Sequence, residues 1–495
     1  MMVGQNLPVA VIGAGPVGLA AAAHLLERGE TPIVFEAGER IGASVRAWGH
    51  VRMFSPWEFT VDGATVRQLK AHGWQMPPKD DLPTGDDLVD RYMQPFAELP
   101  AVRDHIHLNA RVMAVSRRNI DKMKDAGRDE APFVLHVVYG NGEEILIEAR
   151  AVMDASGTWT QPNPLGSGGL SAVGEKRHAA HIFYGMPDVR NTHRLRYANQ
   201  RVMVVGSGHS AINALLELAE LRRDYPQTVI YWVMRGTNMT RVYGGGETDA
   251  LAARGRLGTR IRAHVDAETI QIVSPFRVGQ ITAAEHGMNV IGETSDGLRT
   301  IQVDEIVATT GARPQLDMLR ELRLDLDSSL ESTRTLAPMI DPNIHSCGTV
   351  RPHGEAELRH PEKDFYVVGM KSYGRAPTFL LATGYEQVRS VVAALAGDWE
   401  SARDVQLNLP ETGVCSTNLG GEGGACCSTP AAQSALVSVG NIPINGMAFQ
   451  PFAFQSNALQ PIVLETVSQD CGCGDSCCDD GVRSTTCGCD TTCCS

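Results

Sequence analysis

Cysteine is nearly missing from the first 400 residues of this 495-residue chain, which contain Cys347 and no other. Exchange between dithiols and disulfides needs one thiolate that attacks and a second thiol that resolves the mixed disulfide. A single cysteine cannot supply both. The first 400 residues alone therefore do not suit a protein that reduces disulfides, unless a cysteine from the C-terminal part contributes.

Long apolar runs and an excess of positive charge are also lacking. The run LPVAVIGAGPVGLAAAAHLL is interrupted by glycines and a proline and is closed by Glu27 and Arg28, so it fits neither a signal peptide nor a membrane anchor. A formal net charge of −13 argues against nucleic acid or an anionic membrane as the main partner. We expect a cytoplasmic protein, in which thiols stay mostly reduced and clustered cysteines act as ligands or redox groups.

The interrupted apolar run contains a nucleotide-binding pattern. PVAVIGAG (8–15) reads as a buried strand, a helix follows, and TPIVFEA (31–37) reads as a second strand. Gly13, Gly15 and Gly18 form G-x-G-x-x-G, which permits a tight turn, the approach of a pyrophosphate and close packing of helix on strand. Glu36 ends the second strand, where a carboxylate holds ribose hydroxyls. The pattern predicts a dinucleotide site at the start of the helix.

The pattern recurs in RVMVVGSG (201–208), which is followed by a helix and by the strand TVIYWVM (228–234). Here the motif is G-x-G-x-x-A, formed by Gly206, Gly208 and Ala211. Arg235 takes the place of the acid after the second strand. A guanidinium at this position suits a 2′-phosphate and favours NADPH over NADH, although a plain surface arginine is the alternative.

Two dinucleotide motifs in one chain predict a tightly held flavin and a visiting nicotinamide. We predict an α/β protein with two Rossmann-like domains, the NADPH domain inserted in the FAD domain, and a cysteine-rich, flexible C-terminal tail. VMDASGTW (152–159) and IVATTGARP (306–314) are expected to carry the chain between the domains. The expected boundaries are 1–162 for the FAD domain, 163–302 for the NADPH domain, 303–410 for the return to the FAD domain and 411–495 for the linker and tail.

The residues predicted to contact FAD or NADPH lie on glycine-rich turns, at strand ends or at helix starts. Lys371, Ser372 and Tyr373 stand where many flavoenzymes have a Gly-Asp pair on the ribityl chain, so that contact is expected from the backbone or from Ser372. The full set is Gly13, Gly15, Pro16, Gly18, Glu36, Arg46, Ser156, Gly157, Gly206, Ser207, Gly208, His209, Ser210, Ala211, Arg235, Gly311, Arg313, Gly369, Lys371, Ser372 and Tyr373.

The two motifs, with DASGTWTQPNPLG between them, resemble the class B flavoprotein monooxygenases over roughly residues 8–400. Their fingerprint F-x-G-x-x-x-H is represented by Gly174 and His178 in AVGEKRHAAHIFY, with Ala172 in place of the phenylalanine. A closer resemblance is to flavoproteins of bacterial arsenic-resistance operons. It is carried by GASVRAWGHVRMFSPW (42–57), NIHSCGTVRPHGEAEL (343–358), GMKSYGRAPTFLLATGYEQVRSVVAAL (369–395) and LPETGVCS (409–416).

That resemblance implies FAD, NADPH, molecular oxygen and a thiophilic small molecule such as a trivalent, often methylated arsenical. His50 and Arg52, with Arg46, follow the first strand–helix–strand unit and are expected beside the flavin ring, where they stabilise an anion. Surface charges on a loop are the alternative. Cys347 is expected to hold the thiophilic substrate near the flavin, and a loop with a buried cysteine is the alternative.

The tail is unusual for its paired cysteines. Eight of the twelve lie in residues 471–495 as C-G-C and C-C pairs. The C-x₂-C spacing of zinc knuckles is missing, and a reducing compartment disfavours a knot of disulfides. Clustered thiolates suit soft ions such as Cu(I), trivalent arsenic or mercury. The predicted ligands are Cys426, Cys427, Cys471, Cys473, Cys477, Cys478, Cys487, Cys489, Cys493 and Cys494.

Three functions remain open at this point. The first is a monooxygenase of trivalent arsenicals with a substrate-collecting tail. The second is a flavin-dependent reductase that relays electrons through the tail cysteines to a disulfide or metal(loid). The third is a thiol protein that sequesters metal on a flavin fold.

Overall fold

The computed structural model describes residues 7–243, 252–344, 351–377 and 379–406, which belong to one compact unit, Met1–Gly421. The strands in these ranges are β1 Val9–Ile12, β2 Pro32–Phe35, β3 Ile106–His107, β4 Ala110–Arg117, β5 Phe133–Tyr139, β6 Glu144–Ala149, β7 Ala151–Asp154, β8 Ile182–Tyr184, β9 Arg201–Val205, β10 Val229–Val233, β11 Gln271–Val273, β12 Arg277–Ala283, β13 Met288–Thr294, β14 Gly297–Val303, β15 Glu305–Ala308 and β16 Phe365–Val367.

The α-helices vary from single turns to sixteen residues. They are α1 Pro16–Glu27, α2 Ala43–Arg46, α3 Gly63–Ala71, α4 Gly85–Leu88, α5 Gln94–Ala97, α6 Pro100–Arg103, α7 Arg194–Tyr197, α8 His209–Asp224, α9 Met239–Tyr243, α10 Ala252–Asp266, α11 Ala337–Ile340, α12 Glu355–Leu358, α13 Leu381–Leu395 and α14 Trp399–Arg403. Within the described ranges, no helix combines the length and the apolarity that crossing a bilayer requires.

Two parallel five-stranded sheets form the framework. The first has the order β16-β7-β1-β2-β3, and the second has the order β11-β10-β9-β15-β8. β1 is buried along its whole length because α1 covers the sheet. The alanines of α1, fully buried at positions 20–23, allow close packing of this helix, and α13 lies against it. The predicted α/β architecture with Rossmann-like sheets is confirmed.

Each parallel sheet is accompanied by a three-stranded antiparallel sheet, one of β4-β5-β6 and the other of β12-β13-β14. Neither antiparallel sheet was predicted from the sequence. Alternation along β5 buries Phe133, Leu135 and Val137, as expected for a sheet with one face on a core. The hairpin turns contain Gly142 (φ +86°) and Gly297 (φ +109°) in the left-handed region. Asn-Gly and Asp-Gly at these turns are the sequence signals that identify such hairpins.

The inserted domain ends later than the sequence indicated. β15 (Glu305–Ala308) pairs with β9 and β8 in the second sheet, so residues from 303 do not yet belong to the returning FAD segment. The predicted boundary at 303 is wrong, because a strand that completes the second parallel sheet follows it. The chain returns after β15, and β16 then pairs with β7 in the first sheet.

The two crossings between the sheets touch each other. The Asn163 amide donates to the Gly311 carbonyl at 2.9 Å, and the Arg313 amide donates to the Gln161 carbonyl at 3.0 Å. The Thr310 hydroxyl donates to the Asn163 carbonyl at 2.6 Å. The two linkers therefore form a short antiparallel ribbon. Cys347, the tail cysteines and residues 407–495 as a whole lie outside the described residues.

Candidate active site between two nucleotide cradles

The first nucleotide cradle is the turn between β1 and α1. Gly13 has φ +100° and donates its amide to the Phe35 carbonyl at 2.7 Å. A Cβ on Gly18 would lie 1.9 Å from the Gly13 carbonyl oxygen, whereas a Cβ on Gly15 would meet no atom of the described residues within 4 Å. The first and third glycines thus shape the turn, and the second leaves open space beside it. No side chain caps the start of α1, where Pro16 is the first residue, so its free amides face that space.

Glu36 completes this cradle. Its carboxylate accepts the amides of Ala14 and Gly38, each at 2.8 Å. The acid thereby fixes the glycine-rich turn to the end of β2. Carboxylate oxygens have further lone pairs, which leaves capacity for the ribose hydroxyls that the sequence predicted. Because Ala14 lies inside the motif, Glu36 shapes the turn, and its contact with ribose hydroxyls stays a prediction.

The second cradle repeats this geometry between β9 and α8. Gly206 has φ +141°, and a Cβ there would lie 2.5 Å from both the carbonyl and the hydroxyl oxygen of Thr309. Its amide donates to the Val233 carbonyl at 3.1 Å. Gly208 again faces open space and precedes α8, whose N-terminus no side chain caps. The predicted motif residues Ser207, His209, Ser210 and Ala211 form this turn and the first turn of α8.

Arg235 lies beyond β10 and is exposed to solvent. Its guanidinium donates to the Ser167 carbonyl at 2.9 Å, which holds it at the rim of the second cradle. The same rim receives Arg313, which reaches the Gly169 carbonyl at 3.3 Å. Gly311 has φ +84° on the linker ribbon. The placement of Arg235 suits an anionic group on the ribose, and its role stays a prediction.

A buried ion pair lies behind the first cradle. The Lys371 ammonium is 2.6 Å from an Asp154 carboxylate oxygen, and neither side chain is exposed. Lys371 also donates to the Ser156 hydroxyl at 3.1 Å, and that hydroxyl donates to Asp154 at 2.7 Å. Ser156 in turn approaches the place of a Cβ on Gly13. The ion pair therefore ties the ends of β7 and β16 to the glycine-rich turn.

The residues that follow β16 also support the first cradle. The Gln387 amide oxygen on α13 accepts the Gly369 amide at 2.8 Å, and its nitrogen donates to the Ser372 hydroxyl at 2.9 Å. Tyr373 packs edge-on against Phe379. Lys371, Ser372 and Tyr373 are only 1–3% exposed. Their side chains face the interior and support the cradle wall, and the expected contact of the backbone or of Ser372 with a cofactor stays a prediction.

Arg46, His50 and Arg52 each have protein partners. Arg46 pairs with Asp86 and Asp90 on the helical segment 85–93. Arg52 donates to the Leu82 carbonyl at 2.6 Å. His50 and Arg52 line a cleft of about 510 Å³ together with residues of α8 and α10. The first domain thus meets the second here, which the sequence did not indicate, and the expected contact of these residues with a flavin stays a prediction.

The electrostatics of this cleft centre on Glu217. Burial, and then the nearby carboxylate of Asp188, raise the pKa of Glu217 to about 7. Burial lowers the pKa of His50. One carboxylate oxygen of Glu217 is buried and has no hydrogen-bond partner among the described residues. No sequence motif marked Asp188 or Glu217, because they come from separate elements and meet His50 only in the folded chain.

The fingerprint stretch folds as a tight turn against β12. Gly174 has φ +86°, and a Cβ there would lie 2.1 Å from the Ile281 carbonyl oxygen. The His178 ring bonds the Gly174 carbonyl at 2.9 Å. The buried Glu175 carboxylate accepts the amides of Leu165 and Ala172 and the Tyr184 hydroxyl. Gly174 and His178, the two fingerprint residues present in this chain, therefore have a structural role in the turn.

The residues present fit two dinucleotides. Both cradles combine an uncapped helix start, a glycine at the closest approach and an edge residue of the charge that the sequence predicted. The bound FAD and NADPH would lie at the carboxyl ends of β1 and β9, which is where open α/β sheets bind ligands. Gly157, with φ +70° and open space around its Cβ position, adds a further small residue at the first cradle.

Comparison with known proteins agrees with this fold. A family model described as pyridine nucleotide-disulphide oxidoreductase matches residues 10–348. Flavin-containing monooxygenase 1 of Mus musculus is 28% identical over 222 residues, which are 43% of this chain and only 38% of the mouse enzyme. Ferredoxin--NADP reductase of Lactobacillus johnsonii is 22% identical over 353 residues, which are 70% of this chain and 86% of that reductase.

Among solved structures, the bacillithiol disulfide reductase Bdr of Bacillus cereus is similar with a TM-score of 0.59. It is 19% identical, and the match covers 79% of this chain and 99% of the reductase. At this identity the likeness concerns the fold. The family match spans more than half of the chain and includes both cradles. The protein therefore belongs to the pyridine nucleotide-disulphide oxidoreductase family and is an enzyme.

Proposed function

We propose that the protein is an FAD- and NADPH-dependent monooxygenase that converts trivalent, methylated arsenicals to pentavalent forms. One observation carries the proposal. The stretch 42–57 is among those that resemble flavoproteins of arsenic-resistance operons, and it contributes His50 to Phe54 to the wall of the cleft between the two nucleotide domains. The segment that carries the resemblance thus lines the space that both domains share.

The residues divide the work between the two cradles. The free amides of α1 and the Glu36 carboxylate would hold FAD, and those of α8 with Arg235 would hold NADPH. Bound FAD supplies two-electron transfer from the nicotinamide and activation of oxygen. The buried Lys371–Asp154 pair keeps the wall of the first cradle in place, so that the cofactor is oriented without rearrangement of the protein.

The proposed reaction consumes one molecule of oxygen. One atom of O₂ forms the new bond to arsenic, which goes from the trivalent to the pentavalent state. The other atom leaves as water, with two electrons from NADPH and two protons. The body contains Cys347 alone before residue 400, so it lacks a dithiol pair of its own to take these electrons. This favours oxygen as the acceptor.

The test is NADPH oxidation by the full-length flavoprotein with isotopically labelled O₂ and methylarsenite. We expect methylarsenite to accelerate NADPH consumption and the pentavalent product to contain one labelled oxygen. Dimethyl sulfide, a soft nucleophile without arsenic, serves as the comparison substrate. NADPH consumption that is indifferent to every trivalent arsenical tested would falsify the proposal.

A reductase is the second candidate, favoured by the fold likeness to a bacillithiol disulfide reductase. In that case electrons pass from the flavin to the tail cysteines. Truncation after residue 410 separates the two functions, because it abolishes turnover by a relay. A monooxygenase keeps its turnover number without the tail and loses mainly apparent affinity for the arsenical.

A further inference from the structure

We propose that His50, Asp188 and Glu217 form a binding site for a divalent first-row cation that links the two nucleotide domains. In the described part of the chain, one ligand atom from each residue lies within 4.8 Å of the other two. An imidazole nitrogen with two carboxylate oxygens is a donor set that Zn²⁺, Mn²⁺ and Fe²⁺ accept. Ligand distances near 2.1 Å require side-chain rotations that bring these three atoms closer together.

The three side chains reach the site from separate elements. His50 comes from the loop between α2 and α3 in the first domain. Asp188 follows β8, and Glu217 lies in the middle of α8, both in the second domain. Convergence of ligands from distant parts of the chain differs from a run of acidic residues on one surface helix, because the fold itself brings them together.

The surroundings of the ligands are those of a metal site. Asp188 accepts the Asn191 amide at 3.2 Å and the Thr192 hydroxyl at 3.1 Å, which fix its carboxylate. A backbone hydrogen bond to Pro187 orients the His50 ring. Hydrogen bonds of this kind orient the metal-binding side chains in metalloproteins. Glu217 has a buried oxygen without a partner in the part of the chain that the structure describes, and a cation would satisfy this atom.

The site opens on one side. His50 and Glu217 line the 510 Å³ cleft, so a bound cation would keep a coordination position free for water or for an oxygen of a small ligand. Arg190 is near enough to act on Glu217 and opposes a cation. The two carboxylates outnumber it, and their mutual repulsion, already felt by Glu217, is relieved when a cation lies between them.

The test uses Mn²⁺ because the cysteine-rich tail would bind softer ions, whereas Mn²⁺ prefers oxygen and imidazole ligands. The full-length flavoprotein is treated with chelator and titrated with Mn²⁺ while electron paramagnetic resonance measures the free ion. We expect one Mn²⁺ per chain, with spin-echo modulation from a single imidazole nitrogen. Failure to bind Mn²⁺, or a bound ion without nitrogen coupling, overturns the proposal, and this measurement on the unchanged protein needs no folded variant.

Substitutions then locate the site. Glu217→Gln and His50→Gln are expected to weaken Mn²⁺ binding by about tenfold or more. Glu220→Gln is the matched control, since Glu220 lies on the same helix and lines the same cleft outside the three-residue group. Equal weakening by the control, or unchanged affinity in Glu217→Gln, also overturns the proposal. Binding is measured without turnover, so the result is independent of the proposed oxidation.

Discussion

The two nucleotide cradles have the same backbone and different supports. In both, a left-handed glycine contacts the end of a third strand and an uncapped helix begins beside it. Behind the first cradle lies the fully buried pair of Lys371 and Asp154. At the corresponding place in the second, the Thr309 hydroxyl donates to the Val205 carbonyl at 2.9 Å. One cradle is thus fixed by charge deep in the core, and the other by a neutral hydroxyl on a strand end.

The residues at the edges of the two cradles also differ in how firmly they are held. Glu36 is bonded to two backbone amides of its own cradle, whereas Arg235 is exposed and anchored at one carbonyl. A tightly held cofactor needs a rigid frame, and an exchanging one needs an accessible rim. The same turn motif therefore stands in a rigid frame in one domain and beside an exposed rim in the other, which is the contrast expected if one cofactor is retained and the other exchanges.

The largest effect is expected from Lys371→Met. The Asp154 carboxylate would stay buried without its partner, which costs about 3–5 kcal/mol of unfolding free energy. Thr309→Val in the second cradle removes one neutral hydrogen bond and should cost about 1 kcal/mol. Urea unfolding, followed by flavin fluorescence and by circular dichroism, measures both. Equal losses in the two variants would remove the contrast between the cradles.

The next effect concerns acid stability of the first domain. Burial lowers the pKa of His360 to about 4, and its ring packs on Phe365 of β16. The unfolded chain takes up this proton near pH 6.5 and the folded chain near pH 4, so stability is full above pH 6.5 and falls as the pH drops through that window. The loss reaches roughly 3 kcal/mol at pH 4.

His360→Gln should therefore flatten the dependence of the unfolding free energy between pH 7 and pH 4. Asp325 is the charged group that acts on His360, and its backbone amide donates to the ring at 3.3 Å. Exposed His136 provides the control, because His136→Gln changes a histidine on the outer face of β5. If both variants retain the wild-type slope, His360 is not the responsible group.

A smaller effect separates the two roles of glycine in the first cradle. Gly18→Ala places a methyl group 1.9 Å from the Gly13 oxygen and should lower the unfolding free energy by about 2 kcal/mol. Gly15→Ala meets open space and should leave the apoprotein as stable as the wild type while lowering its FAD content. Thermal unfolding of the apoproteins and flavin absorbance distinguish the two outcomes. A stable Gly18→Ala variant would contradict the packing argument.

The smallest effect is expected at the rim of the second cradle. Arg235→Ala removes the guanidinium that suits a 2′-phosphate, so the ratio of kcat/KM for NADPH to that for NADH should fall about tenfold, or about 1.4 kcal/mol. Steady-state kinetics with both coenzymes measure this. Arg277→Ala, at an exposed position of β12, should leave the ratio unchanged. A ratio unaffected by Arg235→Ala would make that residue a plain surface arginine.

The sequence predicted the cradles because their signals are local. The spacing of Gly13, Gly15 and Gly18 is itself the geometry of the turn. The Lys371–Asp154 pair joins residues 217 positions apart, and its formation depends on β16 lying next to β7. The sequence offered one signal for this pair: a single charged residue ends each of two buried strand segments, AVMD and VVGMK. The His50–Asp188–Glu217 group had no such signal, because three elements contribute to it.

The linker ribbon has a consequence for how this enzyme was assembled. Both ends of the inserted domain meet within two backbone hydrogen bonds, at residues 161–163 and 311–313. The inserted domain therefore begins and ends at the same place on the surrounding fold, whatever its internal length. Domain insertion is tolerated where chain ends lie close together in this way. Residues 164–310 thus enter and leave the first domain at neighbouring points, and they meet it again where Phe54 packs on the core of the second domain.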